Sequence, residues 1–298
     1  YNYSHNNEGG FMLIMGGYPH TAATVRYNIS QNDRDKGFEF AQGIARGIMI
    51  YNNTLYSDQT LNRGVLWLPN TKSLGVNDLY LFNNVFCYPE GQVFSKGADA
   101  SLTNTLKEKA KLYNNAYVGG IAAADADTNP IVIADKASVF ADPGSAPETN
   151  DTKTARTGSS GLLDGYQLAD GSELIDKGVT IQEALTHFGN GAVDIVDGRE
   201  LSPNSFYYLG TNADSIKYVM GENFPDVNGV CYDIDFFGNS NKENKKPDIG
   251  AAEYMQHKHE GGTATCAAKA ICTICGTEYG ELDPDNHSFV DYKSDENA

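Results

Sequence analysis

The chain has 298 residues, of which 40% are hydrophobic, so it can form one large domain or two of ordinary size around a sizeable buried core. Its 22 Lys and Arg against 39 Asp and Glu give a net charge of -17, which argues against nucleic acid as a partner because phosphate binding needs clustered cations. No run approaches the roughly 18 consecutive apolar residues of a membrane span, and residues 1–7 lack the pattern of a signal peptide.

The amino-acid composition indicates the class of protein. The chain has 31 glycines and 18 tyrosines, and only 20% of its residues are charged, which is typical of a turn-rich β protein. Such compositions are common among exported proteins, so we expect a secreted or cell-surface location.

Two repeats run through the first 120 residues. Glycines recur every 27 residues, each just before a short apolar run, and asparagines recur independently at intervals of 25 to 31 residues. Short strands that repeat in this way must stack to bury a face, which predicts a parallel β-solenoid whose recurrent asparagines form a hydrogen-bonded ladder. The alternative is that the asparagines mark ordinary turns. The glycines are Gly10, Gly37, Gly64 and Gly91, and the asparagines are Asn2, Asn28, Asn53, Asn84 and Asn115.

Particular segments carry a family resemblance. The runs YSHNNEGGF (3–11), VRYNISQND (25–33), IYNNTLY (50–56) and LFNNVF (81–86) resemble right-handed parallel β-helix proteins of the pectate-lyase-like superfamily. Residues 165–178 and 235–254 resemble the closing segments of its secreted bacterial members. The resemblance covers about residues 1–255 and implies an all-β solenoid. This superfamily includes lyases, glycoside hydrolases and adhesins, so fold alone does not decide the reaction.

The chain is predicted to have three parts. Residues 1–140 form the β-helix coils, 141–255 form its closing segment after a loop rich in Pro, Gly, Ser and Thr, and 256–298 form a separate Cys-rich module. Since Tyr1 already lies inside a coil, we expect earlier coils, or another chain, to cover the first coil, because open strand edges are otherwise exposed.

The last 43 residues combine thiols and imidazoles at close spacing. Such groups suit tetrahedral zinc, yet only one CxxC pair is present, so structural zinc and metal-free cysteines both remain open. The segment resembles the short Cys-rich repeats of surface proteins from Gram-positive gut bacteria. The candidate zinc ligands are Cys266, Cys272, Cys275, His259 and His287.

Polar loops are predicted to line one edge of the solenoid. The loops at 4–9, 30–36 and 56–63 lie between the asparagine and glycine repeats, so they stack beside a strand face that can hold an extended polymer. The carboxylates they deliver are Glu8, Asp33, Asp35 and Asp58.

Glu39 is the most informative carboxylate. It faces outward if Phe38 and Phe40 face the core, and the glycine repeat gives it Met12 and Leu66 as stacking neighbours. A carboxyl on an apolar strip loses hydration, which favours its neutral form and suits general acid work.

An ionised partner for Glu39 would complete the carboxylate pair of a glycosidase. Asp33 is the first choice, with Asp35 or Glu8 as substitutes. Two structural alternatives to a catalytic role remain. A register slip of one residue would bury Glu39, and Glu8 aligns with Arg34 as in an ordinary salt bridge.

Sugar contacts are predicted from exposed aromatic residues. Trp67 is the only tryptophan and suits stacking on a sugar ring, but Leu13, Phe40, Trp67 and Phe94 recur every 27 residues, which favours an internal stack instead. The other predicted substrate contacts are Tyr18, His20 and Arg34.

Three functions follow in order of preference. The first is a glycoside hydrolase, which needs no cofactor. The second is a polysaccharide lyase, in which Arg34, Lys36 and Arg63 act with calcium held by Asp33 and Asp35. The third is a non-catalytic carbohydrate-binding or adhesive β-helix.

Overall fold

The computed structural model describes residues 2–15, 21–41, 45–70, 79–145, 163–188, 195–196, 199–200, 235–239, 246–255, 260–273 and 278–287. The chain divides into two compact units, residues 1–254 and 255–298. No helix among these residues is long and apolar enough to cross a membrane.

Short strands dominate the first unit. In chain order they are β1 (Tyr3–His5), β2 (Met12–Met15), β3 (Thr21–Arg26), β4 (Ile29–Gln31), β5 (Phe38–Ala41), β6 (Ala45–Tyr51), β7 (Thr54–Tyr56), β8 (Leu66–Leu68), β9 (Leu79–Phe82), β10 (Val85–Cys87), β11 (Ser95–Gly97), β12 (Ala110–Tyr113), β13 (Ala116–Val118) and β14 (Ile131–Ile133).

These strands form three parallel sheets. Sheet A has the order β1-β4-β7-β10-β13-β14, sheet B has β2-β5-β8-β11 in space, and sheet C has β3-β6-β9-β12. Each of the first four turns of the chain therefore adds one strand to every sheet, and β13 and β14 extend sheet A alone. This is a parallel β-solenoid, as the repeats predict, and the predicted fold class is confirmed.

The remaining elements are small. Helix α1 (Ala100–Lys109) is inserted between β11 and β12, and the Asp99 carboxylate accepts a hydrogen bond from Leu102 N at its start. Helix α2 (Ile181–Phe188) packs on the outward face of sheet C. The other elements are 3-10 helices at Lys136–Ser138 and Asp164–Tyr166, an antiparallel pair β15 (Ile195–Val196) and β16 (Arg199–Glu200), and in the second unit a pair β17 (Ala270–Ile271) and β18 (Glu278–Tyr279).

The core lies inside the solenoid and takes apolar side chains from all three sheets. Ile14, Phe40, Ile50, Leu55 and Phe86 belong to it, and each is almost fully buried. Because side chains alternate along a strand, the residues between them point outward.

Asparagines form the predicted ladder at the corner between sheets C and A. The side-chain amide of Asn28 donates to Asn53 Oδ1 at 2.7 Å, Asn53 donates to Asn84 at 2.9 Å, and Asn84 donates to Asn115 at 2.9 Å. The backbone N–H of each also donates to the same oxygen. Buried amides are thereby satisfied from one coil to the next, which lets polar corners lie inside the fold.

The ladder ends on a carboxylate. Asp127 Oδ2 accepts from both the backbone N–H and the side-chain amide of Asn115, and from the Tyr117 hydroxyl at 3.0 Å. Its other oxygen accepts the backbone N–H groups of Asn114 and Asn129. All of these partners donate to Asp127. A carboxylate, which has two acceptor oxygens and no N–H group, therefore suits this position better than another asparagine.

A second row of asparagines holds the closing segment, which we define as residues 163–180, 235–239 and 246–254. Asn52, Asn83 and Asn114 each precede a ladder residue and have φ near +50 to +60, a conformation that Asn tolerates. Their side-chain amides donate to carbonyl oxygens of Asp248, at 2.8 Å from Asn52, and of Val179, at 2.7 Å from Asn83. These corners therefore also anchor the closing segment.

The closing segment covers the outward face of sheet A. Ile29, Val85 and Val118 on that face pack with Phe140 and with Leu174 of the closing segment, all nearly inaccessible to solvent. Apolar burial on this face thus extends the core beyond the solenoid itself.

Carboxylates are buried within the closing segment. Asp248 accepts the backbone N–H of Asp176 at 2.6 Å and that of Tyr254, and Asp235 accepts the backbone N–H of Glu253 at 2.7 Å. Burial raises the pKa of Asp248 to about 6 and also raises that of Asp235. The closing segment is consequently tied together in part by Asp248, a group that titrates in mildly acidic solution.

Candidate functional site

The predicted polar loops stack at one corner, between sheets A and B. Arg34 N donates to Asn7 O at 2.9 Å, Asn62 N donates to Arg34 O at 3.2 Å, and Arg63 N donates to Asp35 O at 2.9 Å. Loops from three successive coils therefore lie one above another beside sheet B.

The strand register of sheet B differs from the one that the glycines predict. Met12 pairs with Phe38, and Phe38 pairs with Leu66, so Glu39 lies between Leu13 and Trp67 instead of Met12 and Leu66. The expectation was wrong by one residue because Gly37 directly precedes its strand, whereas Gly10 and Gly64 each lie one residue further from theirs. Inward apolar residues set the pairing instead.

One outward row of sheet B therefore has mixed chemistry. Leu13, Glu39, Trp67 and Lys96 occupy equivalent positions in successive coils. The predicted internal stack that joined Leu13, Trp67 and Phe40 is wrong, since Leu13 is 51% exposed while Phe40 is in the core. We call these four residues the outward row.

A charged cluster flanks the outward row. Lys36 Nζ lies 2.6 Å from Glu39 Oε2 and 3.0 Å from Asp35 Oδ2, and Arg63 Nε lies 3.2 Å from Asp35 Oδ1. Burial lowers the pKa of Lys36, but its hydrogen bonds to Glu39 and Asp35 outweigh this and raise the pKa above its ordinary value. Glu39 therefore has apolar neighbours on both adjacent strands, as expected, but it is also ion-paired with Lys36, which the sequence did not predict.

The shared ammonium also limits the distance between the two carboxylates. Because Asp35 and Glu39 contact the same Nζ atom, their nearest oxygens can be no further apart than those two contacts added together. The two carboxylates therefore lie within reach of one another on the two sides of a single ammonium. Asp35 and Glu39 are thus the two carboxylates of the cluster that are brought together.

Asp33 has a different environment from these two. It is 3% exposed, one oxygen accepts the backbone and side-chain N–H groups of Asn7 at 2.9 and 2.8 Å, and the other accepts the Ser30 hydroxyl at 2.6 Å. Asp33 therefore joins the loops of two coils, and it is buried instead of lying free beside Glu39 as the predicted partner.

Glu8 and Arg34 form the ordinary ion pair that their alignment predicts. Glu8 Oε1 lies 3.7 Å from Arg34 Nη1, and both side chains are largely exposed. Glu8 is not joined to the cluster by any contact described, whereas Asp35 is. Asp58 is also exposed, and its backbone N–H donates to Asn32 Oδ1.

Trp67 has an unusual position on the outward row. It is only 7% exposed and lies outside the apolar core, and the guanidinium of Arg63 lies over its ring, 4.5 Å from the centroid. The sequence did not identify this contact, although two residue types known to pair stand four positions apart.

Other predicted site residues lie elsewhere. Tyr18 and His20, and the candidate zinc ligands Cys275 and His259, lie outside the described residues. Of the other candidate ligands, Cys272 is buried while Cys266 and His287 are exposed. In the part of the chain that the structure describes, no three His, Cys, Asp or Glu side chains are grouped to hold a metal ion, and the zinc and calcium sites stay predictions.

A cavity of about 380 Å³ lies away from the charged cluster. It is bounded by residues 92–95, by Lys107 of α1, by β12 and by residues 122–126, most of which are alanines. Its walls contribute no pair of carboxylates, so the outward row with its charged cluster is the better candidate site.

Comparisons with known proteins identify one informative relative. No protein-family model matches the chain. The chain is 28% identical over 279 residues to lacto-N-biosidase of Bifidobacterium longum subsp. longum. The similarity covers 89% of this chain but 14% of the relative's length, so the chain spans about a seventh of that protein.

Proposed function

We propose that this β-solenoid acts in carbohydrate hydrolysis, with Asp35 and Glu39 as its carboxylate pair. The observation that carries the proposal is the spacing of these two groups around Lys36, beside an outward row that includes Trp67. The similarity to lacto-N-biosidase supports a glycosidase, and the long parallel strand stack supplies a surface for an extended sugar chain.

In this proposal the two carboxylates divide the two roles of a glycosidase pair, one as the acid that protonates the glycosidic oxygen and the other as the nucleophile or base. Both are ion-paired with Lys36 in the free protein, so the group that serves as the acid takes up its proton once the substrate has displaced Lys36. Lys36 joins the two carboxylates in the free protein and is a positioning residue.

A hydrolase is favoured over a lyase for one specific reason. A lyase needs a basic group that can accept a proton from the sugar. Lys36 contacts two carboxylates and its raised pKa keeps it protonated, so the cation nearest the pair is poorly suited to that task. We also propose that the protein is exported and that a partner covers its first coil. Neither is needed for this chemistry.

Turnover of neutral oligosaccharides tests the proposal. The panel includes chains that end in lacto-N-biose, and the variants are Glu39→Gln and Asp35→Asn, with Glu90→Gln as an exposed carboxylate control in the corresponding loop of another coil. Each cluster variant is expected to lose turnover by at least about 100-fold while circular dichroism stays unchanged, and the control is expected to keep it.

Two results would redirect the assignment. Full activity in both cluster variants removes Asp35 and Glu39 from the reaction. A product with the ultraviolet absorbance of an unsaturated sugar would establish the lyase instead. The anomeric form of the first product, measured by NMR, separates retention from inversion.

A further inference from the structure

Trp67 combines an outward position on its strand with deep burial and an indole N–H that has no acceptor among the described residues. It projects from β8 on the outward side of sheet B, whereas Leu66 and Leu68 on either side of it belong to the core. It is nevertheless only 7% exposed. Its Nε1 is buried, and none of the described residues accepts a hydrogen bond from it.

Arg63 covers this indole. Its guanidinium lies 4.5 Å from the ring centroid and is held in place by Asp35, through Nε at 3.2 Å. The Arg63 side chain is itself 39% exposed, so it lies between the indole and solvent. A cation over an aromatic ring at such a site contributes only about 0.5–1 kcal/mol, so a ligand can replace it at small cost.

A sugar chain fits the chemistry beneath Arg63. The C–H face of a pyranose is apolar and stacks on an indole, and a hydroxyl of the next sugar, lying beyond the edge of the ring, would accept from Nε1, for which no described residue is an acceptor. Glu39 and Lys96 flank Trp67 on the neighbouring strands and supply an acceptor and donors for the other hydroxyls. No apolar ligand would use these groups.

We propose that Arg63 is a movable cover over a sugar-stacking platform formed by Trp67, and that a neutral pyranose displaces the guanidinium from the indole face. Arg63 keeps its ion pair with Asp35 while its side chain rotates away. The identity of the ligand as a sugar rests on the proposed function, but the cover itself rests only on the contacts of Arg63, Trp67 and Asp35.

The single tryptophan makes the cover directly measurable. Fluorescence excited at wavelengths that the 18 tyrosines do not absorb reports on Trp67 alone. Arg63→Ala is expected to shift emission to longer wavelength and to raise acrylamide quenching several-fold, because water then reaches the ring. Asp35→Asn, which frees Arg63, is expected to give a smaller increase. Lys107→Ala, a change on exposed helix α1, serves as the control and is expected to leave emission unchanged.

Ligand binding tests the platform. Titration with the neutral oligosaccharide panel is expected to change Trp67 emission saturably, and Arg63→Ala is expected to bind the active sugar at least as tightly as the unaltered protein. Trp67→Leu, followed by saturation-transfer NMR of the sugar, is expected to weaken binding by about tenfold, the worth of one stacking contact.

The outcomes separate this inference from the hydrolase proposal. Unchanged quenching in Arg63→Ala overturns the cover, and the absence of any Trp67 response to the sugars overturns the platform, whether or not turnover occurs. A saturable Trp67 response without turnover supports the platform and contradicts the hydrolase. If Asp35→Asn loses turnover while the Trp67 emission still responds to the sugar, both the hydrolase proposal and the platform are supported.

Discussion

Sheets A and B share one parallel architecture but expose opposite chemistry on their outward faces. On sheet A, Ile29, Val85 and Val118 pack beneath the closing segment. On sheet B, Glu39 and Lys96 interrupt the apolar positions of the outward row with charge. The backbone stack is the same, so the outward side chains decide whether a face is buried by the chain or left available to a ligand.

The ladder supports both faces, and breaking it is expected to have the largest effect. Asn84→Ala removes the acceptor for Asn53 and leaves the carbonyls of Ile50 and Phe82 without this donor. We expect a loss of about 3–6 kcal/mol of unfolding free energy, since each orphaned buried group costs about 1–3 kcal/mol. Urea denaturation measures this.

Asn104→Ala is the matched control for the ladder. Asn104 is exposed on α1, and alanine is a better helix former than asparagine. The unfolding free energy of the Asn104→Ala variant is therefore expected to be unchanged or slightly raised. Equal stability of the Asn84 and Asn104 variants would show that the ladder contributes nothing.

The contrast between the faces is tested by one leucine on each. Leu174→Ala, in the closing segment over sheet A, removes a side chain with no exposure and is expected to cost about 2–5 kcal/mol. Leu13→Ala on the outward row of sheet B is expected to cost less than about 0.5 kcal/mol because half of that side chain is exposed. Similar costs at both sites would contradict the comparison.

How far the sequence predicts this molecule depends on where its repeats lie. The asparagine repeat predicted the ladder because Asn28, Asn53 and Asn84 occupy the corner itself, where loop length has no influence. The glycine repeat misplaced Glu39 because Gly37 directly precedes its strand, whereas Gly10 and Gly64 lie one residue further from theirs. Pairing in sheet B follows Ile14 and Phe40 instead.

Contacts between distant segments were beyond the sequence patterns. Asn52 binds the carbonyl of a residue 196 positions away, and no local spacing encodes that approach. The pairing of Asp35 and Glu39 through Lys36 was missed for another reason. The sequence placed the carboxylates at one edge but did not show which would be buried, and Asp33, the favoured choice, became a link between loops.

Mild acid is expected to stabilise the packing of the closing segment on sheet A. Burial raises the pKa of Asp248 to about 6, above the about 3.9 of an unfolded Asp, and the nearby carboxylates of Asp176 and Asp235 act in the same direction. The folded state therefore binds the proton more tightly. The stabilisation is complete below about pH 4 and is lost as pH rises through about 6, with a magnitude on the order of 2–3 kcal/mol.

Urea unfolding across that pH window checks the titration. Asp248→Asn is expected to flatten the pH dependence between about pH 4 and 6, whatever its effect on absolute stability. An unchanged pH profile in the Asn variant would exclude Asp248 as the source.

An effect smaller than that of Leu174→Ala is expected from one polar link between sheet A and the closing segment. The Tyr166 hydroxyl donates to Gln31 Oε1 at 2.7 Å in a buried setting, so Tyr166→Phe is expected to cost about 1 kcal/mol. Tyr254→Phe removes a comparable hydrogen bond to Asp170 at an exposed position and is expected to cost nearly nothing. The difference in midpoint of thermal unfolding between the two variants measures the contribution of burial.

Because the asparagine ladder links successive coils only at their corners, one coil can be inserted or removed as a repeat unit. Successive ladder asparagines are 25 to 31 residues apart, yet they meet with the same geometry, so the length between corners is free to vary. Duplicating residues 53–83 would insert one more coil whose asparagine accepts from the preceding coil and donates to the next. The platform and its flanking row could then be lengthened in steps of about 4.8 Å to suit longer polymers.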